Sequence, residues 1–310
     1  MKMARRRKGQ AINGWVVIDK PSGITSTDVV NRVRRHLDAR KAGHGGTLDP
    51  LATGILPLAL GEATKTVSYV MDGDKTYRFS LRWGEVTDTD DAEGEVIARS
   101  DLRPSQTQIR DVLGNFHGWI DQVPPAFSAI KVDGQRAYDL ARDGEEVALS
   151  ARPVYVDSIE LVDLPDPDTA VFEVACGKGT YMRSLARDLG EALGTCAHIS
   201  VLRRLSVGAF DESHAISLDS LEQLEHVAAC EQALLPVETA LDDIPALALT
   251  ETEAKRMRSG QAVSVLARSH LQRLQDLEPG DTVCAMTDGR LVAIARFEAG
   301  ELRPVRVINP

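Results

Sequence analysis

Hydrophobic positions change their period several times along the chain. Residues 15–18 form an unbroken apolar run, closed by Asp19-Lys20-Pro21-Ser22-Gly23, which predicts a strand ending in a turn. Val29, Val30, Val33 and Leu37 then recur at helical spacing behind Ser26 or Thr27 as cap. Arg32, Arg34 and Arg35 line the other face of that helix. Residues 43–65 hold glycine at 43, 45, 46, 54 and 61 and read as a long loop-rich block. From 76 to 83 the pattern alternates: Tyr77, Phe79, Leu81 and Trp83 share one face, and Arg78, Ser80 and Arg82 the other. A half-buried strand is predicted. The acidic stretch 88–95 reads as an exposed loop. Residues 104–116 read as a helix through Ile109, Val112, Leu113 and Phe116.

The second half keeps mixing elements. Asp133-Gly134 signals a hairpin, and 154–161 and 171–176 read as strands. Thr180 is placed to cap a helix ending at Leu193 with Gly194 as its stop, and 199–205 is another strand. No regular β-α-β rhythm emerges, so the expected fold is α+β, with a large mixed or antiparallel central sheet flanked by helices. Past a boundary near 244–249, a short helix (252–258) precedes strands at 282–286, 291–297 and 304–308, with Asp288-Gly289 turning between the first two. These predict a small β-rich appendage. The expected division is a basic flexible N-terminus (1–10), a catalytic domain (11–245) with an insertion at about 122–152, and a β-rich domain (246–310).

Composition narrows the setting. With 310 residues, 43% hydrophobic and 26% charged, the chain is an ordinary globular one, large enough for one main core and a small second one. No apolar stretch approaches the roughly 18 residues of a membrane span. Cys176, Cys196, Cys230 and Cys284 are widely spaced and form no C-x-x-C, so neither a disulfide framework nor a zinc site is favoured and a cytoplasmic setting fits. The net charge of −10 is unevenly spread. Residues 1–41 hold eleven Lys/Arg against three Asp, whereas 205–254 hold eleven Asp/Glu and no Lys or Arg. Screening confines each patch to about 10 Å, so a basic front end can meet phosphates on an acidic protein.

The block Gly43-His44-Gly45-Gly46-Thr47-Leu48-Asp49-Pro50-Leu51-Ala52-Thr53-Gly54 is the candidate for chemistry. Pro50 restricts Asp49 to extended geometry, and the glycines let backbone approach a ligand. A carboxylate held this way acts as nucleophile or base when a cation keeps it ionised; the same composition also makes a plain turn. Neither a Walker-type nor a Rossmann-type phosphate loop is present.

This block, with Gly61-Glu62-Ala63-Thr64-Lys65 after it, resembles the signature of the TruB family of tRNA pseudouridine synthases. Four further segments resemble that family in order. They are Asp19–Ser26, Lys75-Thr76-Tyr77, the run from Pro124-Pro125 through Lys131 to Tyr138, and Lys178–Arg183 with Leu202-Arg203-Arg204 after it. The resemblance covers about residues 11–240; Met182 replaces a β-branched residue of the pattern, and the last 60 residues resemble the family's PUA-like RNA-binding appendage only loosely.

The resemblance implies a pseudouridine synthase fold and conversion of uridine to pseudouridine at position 55 in the T-loop of tRNA. The glycosidic bond is cleaved, the base turned, and C5 rejoined to the sugar of a flipped-out nucleotide. It implies no cofactor and no metal. Asp49 takes the place of the essential aspartate, which attacks C1′ or removes a proton from C2′. Arg183 matches its paired arginine, and Tyr77 the tyrosine that stacks on the base. Lys20 matches a lysine buttressing the loop and His44 a residue contacting the RNA loop, while Tyr181 and Leu202 would line the uracil pocket. Lys131 and Arg136 in the insertion, with Arg32–Arg35, Arg40, Lys41 and Arg142, would meet the RNA backbone. The expected partner is the T-arm stem-loop of tRNA, with no membrane and no obligate protein, the chain acting as a monomer. Three other readings compete: an RNA-binding module without catalysis, a glycosidic hydrolase, which would need a second raised-pKa acid near Asp49, and a guide-RNA-dependent synthase.

Overall fold

The structure, a computed structural model, describes residues 9–128, 130–132, 134–143, 148–265 and 277–309. The basic residues 1–8 lie outside the described part. In chain order the elements are β1 (Gly14–Lys20), α1 (Ser26–His36), β2 (Ala42–His44), β3 (Thr53–Leu60), α2 (Val67–Asp72), β4 (Lys75–Trp83), β5 (Glu85–Thr87), β6 (Val96–Arg99) and α3 (Gln106–Leu113). Next come β7 (Gly118–Gln122), β8 (Lys131–Val132), β9 (Gln135–Arg136), α4 (Ala137–Arg142), β10 (Arg152–Asp166), β11 (Thr169–Cys176), α5 (Met182–Ala192) and β12 (Ala197–Val207). The chain continues through β13 (Phe210–Asp211), β14 (Ala215–Ser217), α6 (Leu218–Gln223), α7 (His226–Ala233), β15 (Ala246–Ala248), α8 (Glu251–Arg258), β16 (Val263–Ser264), β17 (Thr282–Thr287), β18 (Arg290–Glu298) and β19 (Glu301–Val307).

Ten strands form one mixed sheet in the order β14-β1-β3-β12-β4-β11-β10-β7, with β13 added to β12 and β2 to β3. β1 runs parallel to β14 and β12 parallel to β3; the other pairings are antiparallel. The α+β class with a large mixed sheet therefore stands. A second sheet, β15-β17-β18-β19-β16, is built from the C-terminal residues. Among the described residues no helix is long and apolar enough to cross a membrane.

Burial explains why the hydrophobic period differs between strands. β4 and β11 face a core on one side only, where Phe79, Leu81, Phe172 and Val174 pack with Val29 and Val33 of α1 and Leu185 and Leu189 of α5. Their alternation follows. β1 and β3 are covered on both faces. Val16, Ile18, Leu56 and Leu58 enter that core, while Trp15, Val17, Ile55 and Ala59 pack with Val70, Phe210, Val237 and with Leu291 and Ile294 of β18. A strand covered twice reads as a continuous apolar run.

Four local expectations are corrected. Residues 43–65 are not mainly loop: residues 53–60 are the buried strand β3. Pro57 is tolerated because it falls between the stretch of β3 paired to β12 (Thr53, Gly54) and the stretch paired to β2 (Leu58–Leu60). The stretch 88–95 is not simply exposed, since Asp90 and Asp91 are buried. Thr25, not Ser26 or Thr27, caps α1 in a capping box with Asp28, and Tyr181, not Thr180, precedes α5.

Charge segregation has a structural counterpart. The acidic segment supplies partners to cations elsewhere: Glu222 accepts two hydrogen bonds from Arg32, and Glu212 joins Asp19 in pairing Arg203. Arg32 is thereby committed within the protein, while Arg34, Arg35, Arg40 and Lys41 remain exposed.

Candidate active site

The loop between β2 and β3 has no regular structure, so its backbone groups need partners from elsewhere. Side chains from distant motifs provide them. The buried Lys20, at the end of β1, donates from Nζ to the carbonyls of Pro21 (2.9 Å), Pro50 (3.1 Å) and Ala52 (2.6 Å). The Ser26 hydroxyl bridges Leu48, donating to its carbonyl (2.9 Å) and accepting from its N–H (2.8 Å). Arg204, on the central strand β12, donates to the carbonyls of Gly46 and Ile55 and reaches toward that of Thr47. Gly54 must be glycine here. Its φ is +98°, and a Cβ would stand 2.1 Å from the Arg204 carbonyl oxygen.

This frame leaves the Asp49 side chain 39% exposed. Arg183, in the first turn of α5, meets it: Nε lies 3.0 Å from Asp49 Oδ2. The guanidinium is itself held tightly. Nη1 donates to the Thr89 carbonyl (3.1 Å), Nη2 to the Phe127 carbonyl (2.8 Å), and Asp91 Oδ2 stands 3.7 Å from Nε. Asp91 is fixed in turn by the Thr89 hydroxyl (2.7 Å) and the Glu93 N–H (3.0 Å), both donating to Oδ1. One cation thus sits between two carboxylates, one exposed to solvent and one buried.

The surrounding titratable groups respond to burial. Burial lowers Lys20 to about 8, opposed by the carboxylates of Asp49 and Glu93. Burial and the Arg204 charge lower the His44 imidazole, which keeps the ring neutral at pH 7. Burial raises the Tyr77 phenol, with the nearby Arg204 guanidinium opposing the shift. Burial likewise raises Tyr181, which feels both Arg183 and Asp49. Asp90 is raised to about 6 by burial against the pull of Arg187, whose Nη1 lies 3.2 Å away.

Asp49, Arg183, Lys20, Tyr77 and Tyr181 are therefore brought to one place. The Tyr181 backbone is clamped by the buried Gln122, which accepts from its N–H and donates to its carbonyl. Leu202 is buried on β12 opposite Phe79 of β4. The geometry is that of a half-exposed carboxylate oriented by a buried arginine, with two tyrosines nearby.

Models of two families match this chain. One, the TruB family pseudouridylate synthase N-terminal domain, spans residues 34–182; the other, the tRNA pseudouridylate synthase B C-terminal domain, spans 183–242. The chain belongs to the TruB family of pseudouridine synthases. A relative from Rhodospirillum rubrum, named tRNA pseudouridine synthase B, is 55% identical over 99% of this chain and 100% of its own length. A relative of the same name from Caulobacter vibrioides is 56% identical over 99% of both chains. Among solved structures, a Cbf5-Nop10-Gar1 complex contains a chain aligning at TM-score 0.73 and 27% identity, over 96% of this chain and 85% of that one. A chain of an H/ACA ribonucleoprotein bound to a substrate RNA aligns at TM-score 0.74 and 24% identity over 99% of this chain and 92% of that one, which speaks for the fold. The chain is an isomerase of the pseudouridine-forming class.

Two expected RNA contacts, Lys131 and His44, make no hydrogen bond or ion pair with Asp49 or Arg183 among the described residues. Lys131 is exposed on the β8–β9 hairpin, whose backbone pairs it with Arg136; the Arg136 side chain lies outside the described part. His44 lies on β2, half-buried, with Nδ1 lacking a hydrogen-bond partner among the described residues. Sequence reasoning missed Asp91, Gln122, Ser26 as a bridge, and Arg204 as a loop anchor. The Thr-Asp repeats at 87–91 were the only available signal for Asp91, and they read equally well as a turn.

Proposed function

We propose that the chain isomerises uridine 55 in the T-loop of transfer RNA to pseudouridine, acting as a monomer without a guide RNA or protein partner. The observation that carries this reading is the Asp49–Arg183 pair, with Asp49 Oδ2 3.0 Å from Nε and its side chain partly exposed. A guanidinium at this distance attracts the carboxylate and aims it. The target nucleotide leaves its stack to reach this pair, and the rings of Tyr77 and Tyr181 replace the lost stacking. The N1–C1′ bond breaks as Asp49 attacks C1′ or takes a proton from C2′; the base turns, C5 joins C1′, and the C5 proton leaves. The Lys131–Arg136 hairpin and the C-terminal β-rich sheet are the proposed RNA-contacting surfaces, through phosphate charge. The curated relatives' shared name, at more than half identity over the whole chain, supports the tRNA substrate.

Tritium release from [5-³H]uridine in an unmodified tRNA transcript tests this. Wild type releases tritium; Asp49→Asn binds the transcript and releases none. Release from a transcript lacking uridine only at position 55, or none from wild type despite tight binding, would refute it.

A further inference from the structure

Arg183 does not stand alone on α5. Arg187 lies one turn further along the same helix face, and the two side chains reach to the same two neighbours. Arg183 donates to the Thr89 carbonyl on one side and the Phe127 carbonyl on the other. Arg187 donates from Nη1 to the Asp90 carboxylate (3.2 Å) and from Nη2 to the Val123 carbonyl (2.8 Å), which also accepts from the Ser184 hydroxyl (2.7 Å). Its Nε and Nη2 donate in addition to the adjacent Asp188. Each arginine is thus a strut between the 87–91 loop and the start of the insertion.

Asp90 occupies its place at a cost to the fold. Its backbone takes φ +60°, the left-handed region that a side chain disfavours and glycine enters freely. The residue is 8% exposed, and burial pushes its carboxyl up to about 6 against the pull of Arg187. Closing the loop does not call for that carboxylate, because backbone groups and one hydroxyl already do so. The Asp90 N–H donates to the Thr87 carbonyl (3.2 Å), the Asp90 carbonyl accepts from the Ile199 N–H (3.1 Å), and the Thr87 hydroxyl donates to the Asp91 carbonyl (2.7 Å). What Asp90 sets is direction. Thr89 precedes it and Asp91 follows it, so its two dihedrals fix the angle between the Thr89 carbonyl, which accepts from Arg183 Nη1, and the Asp91 carboxylate, 3.7 Å from Arg183 Nε. Glycine at 90 would adopt the same φ without strain, but nothing would keep it there. The tie to Arg187 removes that freedom.

We propose that Asp90 and Arg187 are positioning residues for the isomerisation: Arg187 locks Asp90 in its left-handed conformation, which keeps the Thr89 carbonyl and the Asp91 carboxylate converged on Arg183 and so keeps Arg183 aimed at Asp49. The inference rests on the function proposed above. Neither residue exchanges a proton with the substrate or forms a bond to it. Their effect passes through Arg183 alone, by removing the loop motions that would let its guanidinium swing away from Asp49 before the nucleotide arrives.

The test is a double-mutant cycle on single-turnover tritium release, combining Asp90→Gly and Arg187→Gln with Arg183→Lys, with tRNA affinity and melting temperature measured for each protein. Asp90→Gly removes the strain and the tie together. Its melting temperature stays within a few degrees of wild type while its rate falls about 5- to 20-fold, at tRNA affinity within about threefold. Arg187→Gln lowers the rate by a similar factor. Asp90→Asn, which tolerates the left-handed region and still accepts from Arg187, keeps the rate within about threefold of wild type. In the Arg183→Lys background the Asp90→Gly loss shrinks to less than about twofold, because the group it acts through has lost its fork. A purely structural role would lower the melting temperature and leave the rate. An unchanged rate in Asp90→Gly, an equal loss in Asp90→Asn, additive effects with Arg183→Lys, or a defect confined to affinity or melting temperature would overturn the proposal. Should either Asp90→Gly or Arg187→Gln fail to fold, the other carries the cycle. Asp49→Asn in the same assay keeps the two failures apart. If it retains wild-type release, the proposed function falls. If it is inactive while the cycle is additive, only the role of Asp90 and Arg187 falls.

Discussion

Replacing Arg183 by lysine keeps a positive charge beside Asp49 but discards the fork. In the native structure the guanidinium places Nε 3.0 Å from Asp49 Oδ2, Nη1 3.1 Å from the Thr89 carbonyl and Nη2 2.8 Å from the Phe127 carbonyl. One guanidinium serves all three at once. A lysine ammonium is a single point on a flexible stem and cannot span all three. Two of the charge-assisted bonds are then lost, at about 1.5–3 kcal/mol each. Part of that total lowers stability, because Thr89 and Phe127 are held in the resting protein too. The part that aims Asp49 acts on the reaction, and we assign it about 1.5–4 kcal/mol, a rate loss of about 10–10³ at 1.36 kcal/mol per tenfold. Single-turnover tritium release with enzyme in excess over tRNA measures it, and filter binding measures affinity alongside. Arg183→Lys is expected to bind tRNA within about threefold of wild type, because the residue is only 7% exposed at its side chain and is not a surface phosphate contact. A rate within tenfold of wild type, or a defect wholly in affinity, would refute the reasoning that orientation rather than charge is what Arg183 supplies.

Two further outcomes follow from the same geometry. Asp91→Asn removes the rear carboxylate 3.7 Å from Arg183 Nε while keeping an oxygen to accept from Thr89 and Glu93; the single-turnover rate should fall about 10- to 100-fold with the melting temperature within a few degrees of wild type, and an unchanged rate would show that Asp49 alone sets the arginine. Lys20, held at about 8 against an ordinary 10.5, is charged at neutral pH at a cost to the fold. The unfolded chain binds the extra proton between these values, so wild-type stability relative to Lys20→Met should rise as pH climbs from about 8 toward 10.5, and a flat difference in thermal melts over that window would count against the assignment.

The sequence made some of this site legible and hid the rest for physical reasons. Asp49 and Arg183 were found because each lies in a motif whose residue types constrain chemistry as well as shape. Asp91 was hidden because it is buried in an irregular loop, where burial leaves no period to read; its neighbour Asp90 takes φ +60° in the same turn. β3 was misread because Gly54 and Pro57 are turn formers by composition, and only the pairing pattern on either side shows why a strand tolerates them. The cap of α1 shifted by one residue because the Ser26 hydroxyl is occupied at Leu48, leaving Thr25 free to accept from Asp28. The uneven charge was legible as composition, but not that part of the acidic segment pairs with Arg32 and Arg203.

Carbonyl accounting explains why five separated motifs behave as one object. From Gly46 to Ala52 each carbonyl has a donor: Arg204 for Gly46 and Thr47, Ser26 for Leu48, the Ala52 N–H for Asp49, Lys20 and the Gly23 N–H for Pro50, Ser22 for Leu51, and Lys20 again for Ala52. A loop of this length in water would satisfy those groups with solvent and would move. Here they are met by side chains from β1, the turn after it, α1 and β12, so immobilising the loop and excluding water from it are the same event. Asp49 is the residue that this frame leaves to face outward. A carboxylate that must meet one atom of a flipped nucleotide gains from every degree of freedom removed before the substrate arrives. Spacing between the motifs is therefore set by strand order: residues 20, 49 and 204 are far apart in sequence because β1, β3 and β12 are neighbours in the sheet.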